Sequence, residues 1–269
     1  MESWRRYVGL VLILVVFGVA ASLLYRELSG EHYHEIVASL AKISPRRLLT
    51  AILLTAVSYT LLISYDWLAM REVGRKLPWW QVALASFGGF VTSYNFGILL
   101  GGTSVRYRLY SLWGYSTLEI VRLVAMVSAT FWVGMCALGG LLFTIDPINI
   151  PERYQLPFAD VRIAGYLLLA LLVAYWIWCY GQRKPITIRG VALAPPRLST
   201  ALLQTVVAIA DLLLATAVLF VLMPESLQVS YPHFVAAYLL AIVIVLGTHV
   251  PGGLQGNRVL VGWFDYCIG

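Results

Sequence analysis

Long uncharged runs separated by short charged loops make up most of the chain, at residues 7–25, 48–65, 79–105, 123–145 and 163–182. Each is close to the roughly 20 helical residues that cross a hydrocarbon core. A sixth run, 198–223, is interrupted only by Asp211, and a seventh, from Phe234 to Thr248, stops at His249 and the breaker Pro251-Gly252-Gly253. The pattern predicts an all-α, polytopic helical membrane protein with about six to seven membrane segments, one or two of them re-entrant or broken. No interval is long enough for a soluble domain, so residues 1–269 read as one transmembrane domain.

Composition agrees with this reading. The chain is 60% hydrophobic and 12% charged, with a mean hydropathy of +0.81, which makes the bilayer its solvent. The net charge of +6 comes from Lys and Arg in short loops, where they orient a chain against anionic lipid, and does not point to nucleic acid. Cys136 and Cys179 lie inside apolar runs and Cys267 near the end, without metal-ligand spacing. There is no nucleophile–base pair or nucleotide loop either, so neither catalytic residues nor a cofactor are expected. Val19-Ala20-Ala21 is a passable signal-cleavage site, but the length of run 7–25 favours an uncleaved first span. In Glu31-His32-Tyr33-His34-Glu35 the two histidines have ligand character, and a solvated segment at the membrane surface is the preferred reading.

The basic residues discriminate between topologies. With a cytoplasmic N-terminus and seven full spans, Arg5, Arg6, Arg71, Arg75, Lys76, Arg153 and Arg162 lie inside and the other twelve of nineteen outside, against the positive-inside rule. If the third run dips into the membrane and returns, every later loop changes side: Arg106, Arg108, Arg122, Arg183, Lys184, Arg189 and Arg197 join the inner side, and Arg153 and Arg162 leave it. The balance becomes twelve inside against six, with Arg258 unassigned. The same run carries Ala85, Gly89, Ser93, Gly97 and Gly101, a small residue at every fourth position. Such a stripe serves a plain packed helix as well as a re-entrant one. Gly101-Gly102 after the polar Asn95 favours re-entry, because non-helical backbone survives at membrane depth only where protein or a cavity satisfies it.

Directly after these glycines stands Thr103-Ser104-Val105-Arg106-Tyr107-Arg108-Leu109-Tyr110. Arg106 and Tyr110 share one face of a helix, and the arginine fork beside Gly101, Gly102 and Thr103 suits a phosphate. The alternative is a positive-inside anchor in an aromatic belt. Asp211, in the middle of its run, costs on the order of 2.5–3.5 kcal/mol in lipid and is expected to face a partner or a wet cavity. Asp66, closing the second run, reads equally as intramembrane or interfacial. Glu119 and Arg122, three apart, suggest a local ion pair. His249, Pro251, Gly252 and Gly253 read as a second unwound element with a polar or gating role.

Together, Asn95 with Gly101-Gly102-Thr103-Ser104-Val105-Arg106-Tyr107-Arg108-Leu109-Tyr110, Gly114-Tyr115-Ser116 and His249-Val250-Pro251-Gly252-Gly253-Leu254 resemble the flippase-like membrane domain of the lysylphosphatidylglycerol synthase/flippase family. The resemblance implies a bacterial inner-membrane protein that moves a polar or aminoacylated phospholipid between leaflets. Membrane phospholipid is then its partner, with a second copy or a lipid-modifying enzyme as further candidates. In that family the Pro-Gly-Gly-Leu element runs into Gly-Val-Phe-Glu and another helix. Here Leu254 is followed by Gln255-Gly256-Asn257-Arg258, so a domain shortened at its C-terminus is expected. The alternatives are a non-transporting membrane scaffold and, further off, an aminoacyl-lipid transferase, for which the chain offers no soluble catalytic domain.

Overall fold

The computed structural model describes residues 43–96, 101–145, 161–181, 186–188, 191–193, 195–223 and 229–248. Two compact units divide the chain, Met1–Leu49 and Thr50–Gly269, and apart from the start of the first helix the description below concerns the second. Run 7–25, the His32/His34 segment, and His249, Pro251, Gly252 and Gly253 with the residues after them lie outside the described residues.

Seven helices and one two-stranded ribbon follow in the described residues: α1 (Pro45–Val73), α2 (Trp79–Phe96), α3 (Thr103–Leu112), α4 (Thr117–Ile145), α5 (Val161–Gly181), β1 (Ile186–Ile188), β2 (Val191–Leu193), α6 (Leu198–Leu222) and α7 (Tyr231–Thr248). The protein is helical and polytopic, as the apolar runs predict. Helices α1, α4, α5 and α6 are long and apolar enough to cross a membrane. The ribbon is an addition inside the loop 183–197: Ile186 pairs with Leu193 and Ile188 with Val191, antiparallel. Its β-branched residues favour extension.

The third apolar run forms a helical hairpin. α2 and α3 lie against each other in reverse order: a Cβ added at Gly88 would meet Val105, one at Gly89 would meet Arg106, and one at Gly102 would meet Ser93 and the Gly89 carbonyl. Gly89 and Ser93 of the small-residue stripe therefore line the seam with the returning helix, and Gly97 lies outside the described residues. Where the hairpin ends settles its re-entrance. Arg75, just beyond α1, donates to the Gly114 carbonyl at 3.1 Å and pairs with Glu119 of α4 at 2.9 Å. Tyr115 donates to the Met70 sulfur at 3.7 Å. A single crossing between these residues would separate them by roughly the 30 Å of a hydrocarbon core; instead the chain re-emerges beside its point of entry. Gly74 and Gly114, with φ of 79° and 80°, close α1 and α3 in the left-handed conformation that glycine adopts without penalty.

The other helices cross in alternation. Thr200 at the start of α6 donates to Glu72 at the end of α1, so these two run antiparallel. Gly134 of α4 is so close to Ala208 of α6 that an added Cβ would lie 2.4 Å from the alanine Cβ. Gly140 meets Leu169, and Gly165 meets Phe143 and Thr144, which lets α4 and α5 approach closely. α7 starts where α6 ends, with Tyr231 and Phe234 against Phe220. The end of α1, the α3–α4 turn and the α5–α6 connection thus gather at one end of the bundle. Large apolar side chains such as Ile163, Leu167, Leu171 and Ile177 cover the outside of α5, as contact with lipid tails requires. Trp79 and Trp80 stand exposed where α2 begins, at the level of an interfacial belt.

Candidate functional site

Asp66 lies seven residues before the end of α1, about 10 Å of helix rise from it. Its carboxylate is fully buried and receives three donors from α3. Arg106 donates through Nε at 3.0 Å to one oxygen and through Nη2 at 2.9 Å to the other, and the Tyr110 hydroxyl adds a bond of 2.9 Å. The helical spacing of Arg106 and Tyr110 places both on the face turned to α1. The guanidinium also stands 4.6 Å from the Phe90 ring centre, a cation–π contact from α2. Gly89 makes room for it: a Cβ there would come within 2.6 Å of the guanidinium carbon. One arginine thus ties three helices together. A bidentate, charge-assisted pair of this kind is strong in a desolvated interior, and removing either partner leaves an uncompensated buried charge.

Asp211 sits near the middle of α6 and is 6% exposed. As its place in the run predicts, it faces protein. The Ser58 hydroxyl donates to Oδ1 at 3.2 Å and the Tyr65 hydroxyl to Oδ2 at 3.0 Å, both from α1. Neither ion pair between described residues, Arg106–Asp66 or Arg75–Glu119, includes Asp211. The two carboxylates are nevertheless joined by a series of contacts. Tyr65 stands edge-on to Phe90 at 5.6 Å between ring centres, and Phe90 carries Arg106 on its face. Asp211, Tyr65, Phe90, Arg106 and Asp66 therefore form one continuous series of contacts.

The remaining candidates are distributed differently. Gly101 and Gly102 are buried at the start of the returning arm, with Thr103 opening α3. Arg108 is exposed, away from the pair that holds Arg106. Asn95 is exposed and donates to the carbonyl of Val91 in its own helix at 2.8 Å. Glu119 corrects the expectation drawn from spacing: its carboxylate is shared by Arg75, 2.9 Å away, and by the Ser116 backbone N–H and hydroxyl, each 2.8 Å away. Ser116 in turn accepts from the Glu119 N–H, which completes a capping box at the start of α4.

Sequence reasoning missed a third polar group. Gln204 of α6, fully buried, donates to Thr130 of α4 at 2.8 Å and accepts from Tyr175 of α5 at 2.8 Å. Trp176 adds a bond to Thr205 at 3.3 Å. A glutamine in an apolar run is the signal that would have found it, because an amide in hydrocarbon needs partners as a carboxylate does. Among the described residues, no group of three or more His, Cys, Asp or Glu gathers as a metal ion would require.

No protein-family model matches the chain. It is 33% identical over 262 residues to the uncharacterized protein slr0712 of Synechocystis, spanning 94% of this chain and 80% of that protein. It is 26% identical over 253 residues to the inner membrane protein YbhN of Escherichia coli, spanning 94% of this chain and 76% of that one. With a re-entrant hairpin pinned by Asp66 and Arg106 between membrane-crossing helices, this chain belongs to the family of Synechocystis slr0712.

Proposed function

We propose that the protein moves a polar, phosphate-bearing lipid between the leaflets of a bacterial inner membrane. The observation that carries this reading is the buried Arg106, fixed in a bidentate pair on a hairpin that enters and leaves the bilayer on one side. Besides tying three helices together, a desolvated guanidinium at membrane depth is costly to place and normally marks a substrate or ion path. The same fork that binds a carboxylate binds a phosphate, so a lipid headgroup would reach Arg106 by replacing Asp66. Arg108, exposed two residues on, would receive the headgroup first in this reading. The similarity to an Escherichia coli protein named for the inner membrane supports the location. The basic residues at the end that holds Arg75 and Lys76 support a cytoplasmic orientation of that end, and with it of the N-terminus.

The test is translocation of tail-labelled phosphatidylglycerol in vesicles containing the purified protein, read by quenching of the outer leaflet. Arg106→Lys keeps the charge and removes the fork. Translocation should fall about tenfold or more, the ratio that ~1.4 kcal/mol of lost recognition gives, with membrane insertion intact. Aminoacylated phosphatidylglycerol tests the headgroup, and diacylglycerol, without phosphate, should be unaffected by the change. Wild-type protein that moves none of these lipids favours the scaffold.

A further inference from the structure

Asp66 and Asp211 are both buried carboxylates, yet their partners differ in kind. Asp66 is matched by a guanidinium, which only donates, whereas Asp211 is held by the hydroxyls of Ser58 and Tyr65. A hydroxyl donates to a carboxylate and equally accepts from a carboxylic acid. When Asp211 carries a proton it can donate to Ser58 Oγ, whose own hydrogen can turn to the backbone carbonyl one helical turn back, as serines in helices do. Both protonation states are therefore satisfied without moving a helix, which no lysine or arginine partner would allow. The ionisable side chains acting on Asp211 are Tyr65 from α1, Tyr94 from α2 and Tyr238 from α7, and among the described residues α4 and α5 bring none. All three are phenols, so among the described residues these groups bring no fixed positive charge to hold the carboxylate in its ionised form.

We infer that Asp211 is a reversible proton-binding site in the middle of the membrane, with Ser58 and Tyr65 as the switchable partners that serve both of its states. The site stands on its own geometry, whatever the protein carries. The carbonyl oxygen of the protonated carboxyl still accepts from the Tyr65 hydroxyl, and Tyr65 in turn touches Phe90, on whose face Arg106 lies.

The experiment is infrared difference spectroscopy of the full chain in lipid nanodiscs, titrated over the pH range in which it stays folded. A protonated-carboxyl C=O band should grow as pH falls, vanish in Asp211→Asn and remain in Glu119→Gln. Tyr65→Phe, which keeps the ring against Phe90, should shift the frequency of the band because one hydrogen-bond partner is gone. All three variants are near-isosteric, and retained helicity by circular dichroism shows that the fold is intact. Absence of the band in the wild type, or a band of equal size in Asp211→Asn, would overturn the inference. Failure of lipid to move in vesicles would leave the band, and hence the proton site, standing.

Discussion

Arg75 and Glu119, 2.9 Å apart, join the end of α1 to the start of α4 across the whole of the helical hairpin between them. With the Arg75–Gly114 and Tyr115–Met70 bonds, this contact puts the start of α4 beside the end of α1. Labelling of single cysteines at positions 76 and 114 in a background without other cysteines should therefore succeed from the same face of the membrane, and position 189 from that face too. Reaction of 76 and 114 with an impermeant reagent from opposite faces would remove the re-entrant hairpin.

The exposed pair itself is weak. Arg75→Ala should lower stability by roughly 0.2–1 kcal/mol, as exposed ion pairs do. Glu119→Ala removes both that pair and the side chain that closes the Ser116 capping box, so it should destabilise more than Arg75→Ala. Thermal unfolding in detergent orders the two variants.

The buried pair behaves in the opposite way. Asp66→Asn or Arg106→Met alone leaves one buried charge without its match and should cost about 3–5 kcal/mol. The double change Asp66→Leu with Arg106→Met removes both charges and should recover most of the stability while leaving translocation lost. A double variant that folds and still moves lipid would show that the pair serves architecture alone.

Packing at the hairpin seam gives a graded series. Gly89→Ala drives a Cβ to 2.6 Å from the Arg106 guanidinium, whereas Gly88→Ala brings one to 3.3 Å from a Val105 methyl. Gly89→Ala should cost about 1–3 kcal/mol and weaken the Asp66 pair, and Gly88→Ala should cost less. Comparison of melting temperatures in one detergent settles the order.

Much of the bundle is legible in the sequence because lipid imposes a simple rule: a long apolar run becomes a helix, and a basic loop marks a side. The positive charges favour a return of residues 79–105 to their side of entry, and Gly101-Gly102 after Asn95 tips the balance the same way. Helix limits were less legible. α1 continues through Asp66 to Val73, and α4 starts at Thr117, well before run 123–145, because Asp66 and Glu119 have partners that a hydropathy reading treats as interruptions. Asp211 announced itself, as a lone carboxylate in hydrocarbon must. Its partners Ser58 and Tyr65 did not, since they lie 153 and 146 residues away in sequence and nothing in their local spacing points to α6. The same applies to Arg106, whose local neighbours suggested an open cradle and whose actual partner is 40 residues upstream.

That separation of 40 residues also dictates an order of biogenesis. Asp66 leaves the ribosome before Arg106 exists, so α1 meets the translocation machinery as a helix with an unmatched carboxylate. The returning arm of the hairpin, Thr103–Leu112, has the converse problem and cannot settle in lipid by itself with its arginine exposed. The two are therefore expected to be released into the bilayer together, with the chain from α1 to α3 handled as one cotranslational unit. Premature lateral exit of α1 is a route to misassembly that substitutions at either residue would open.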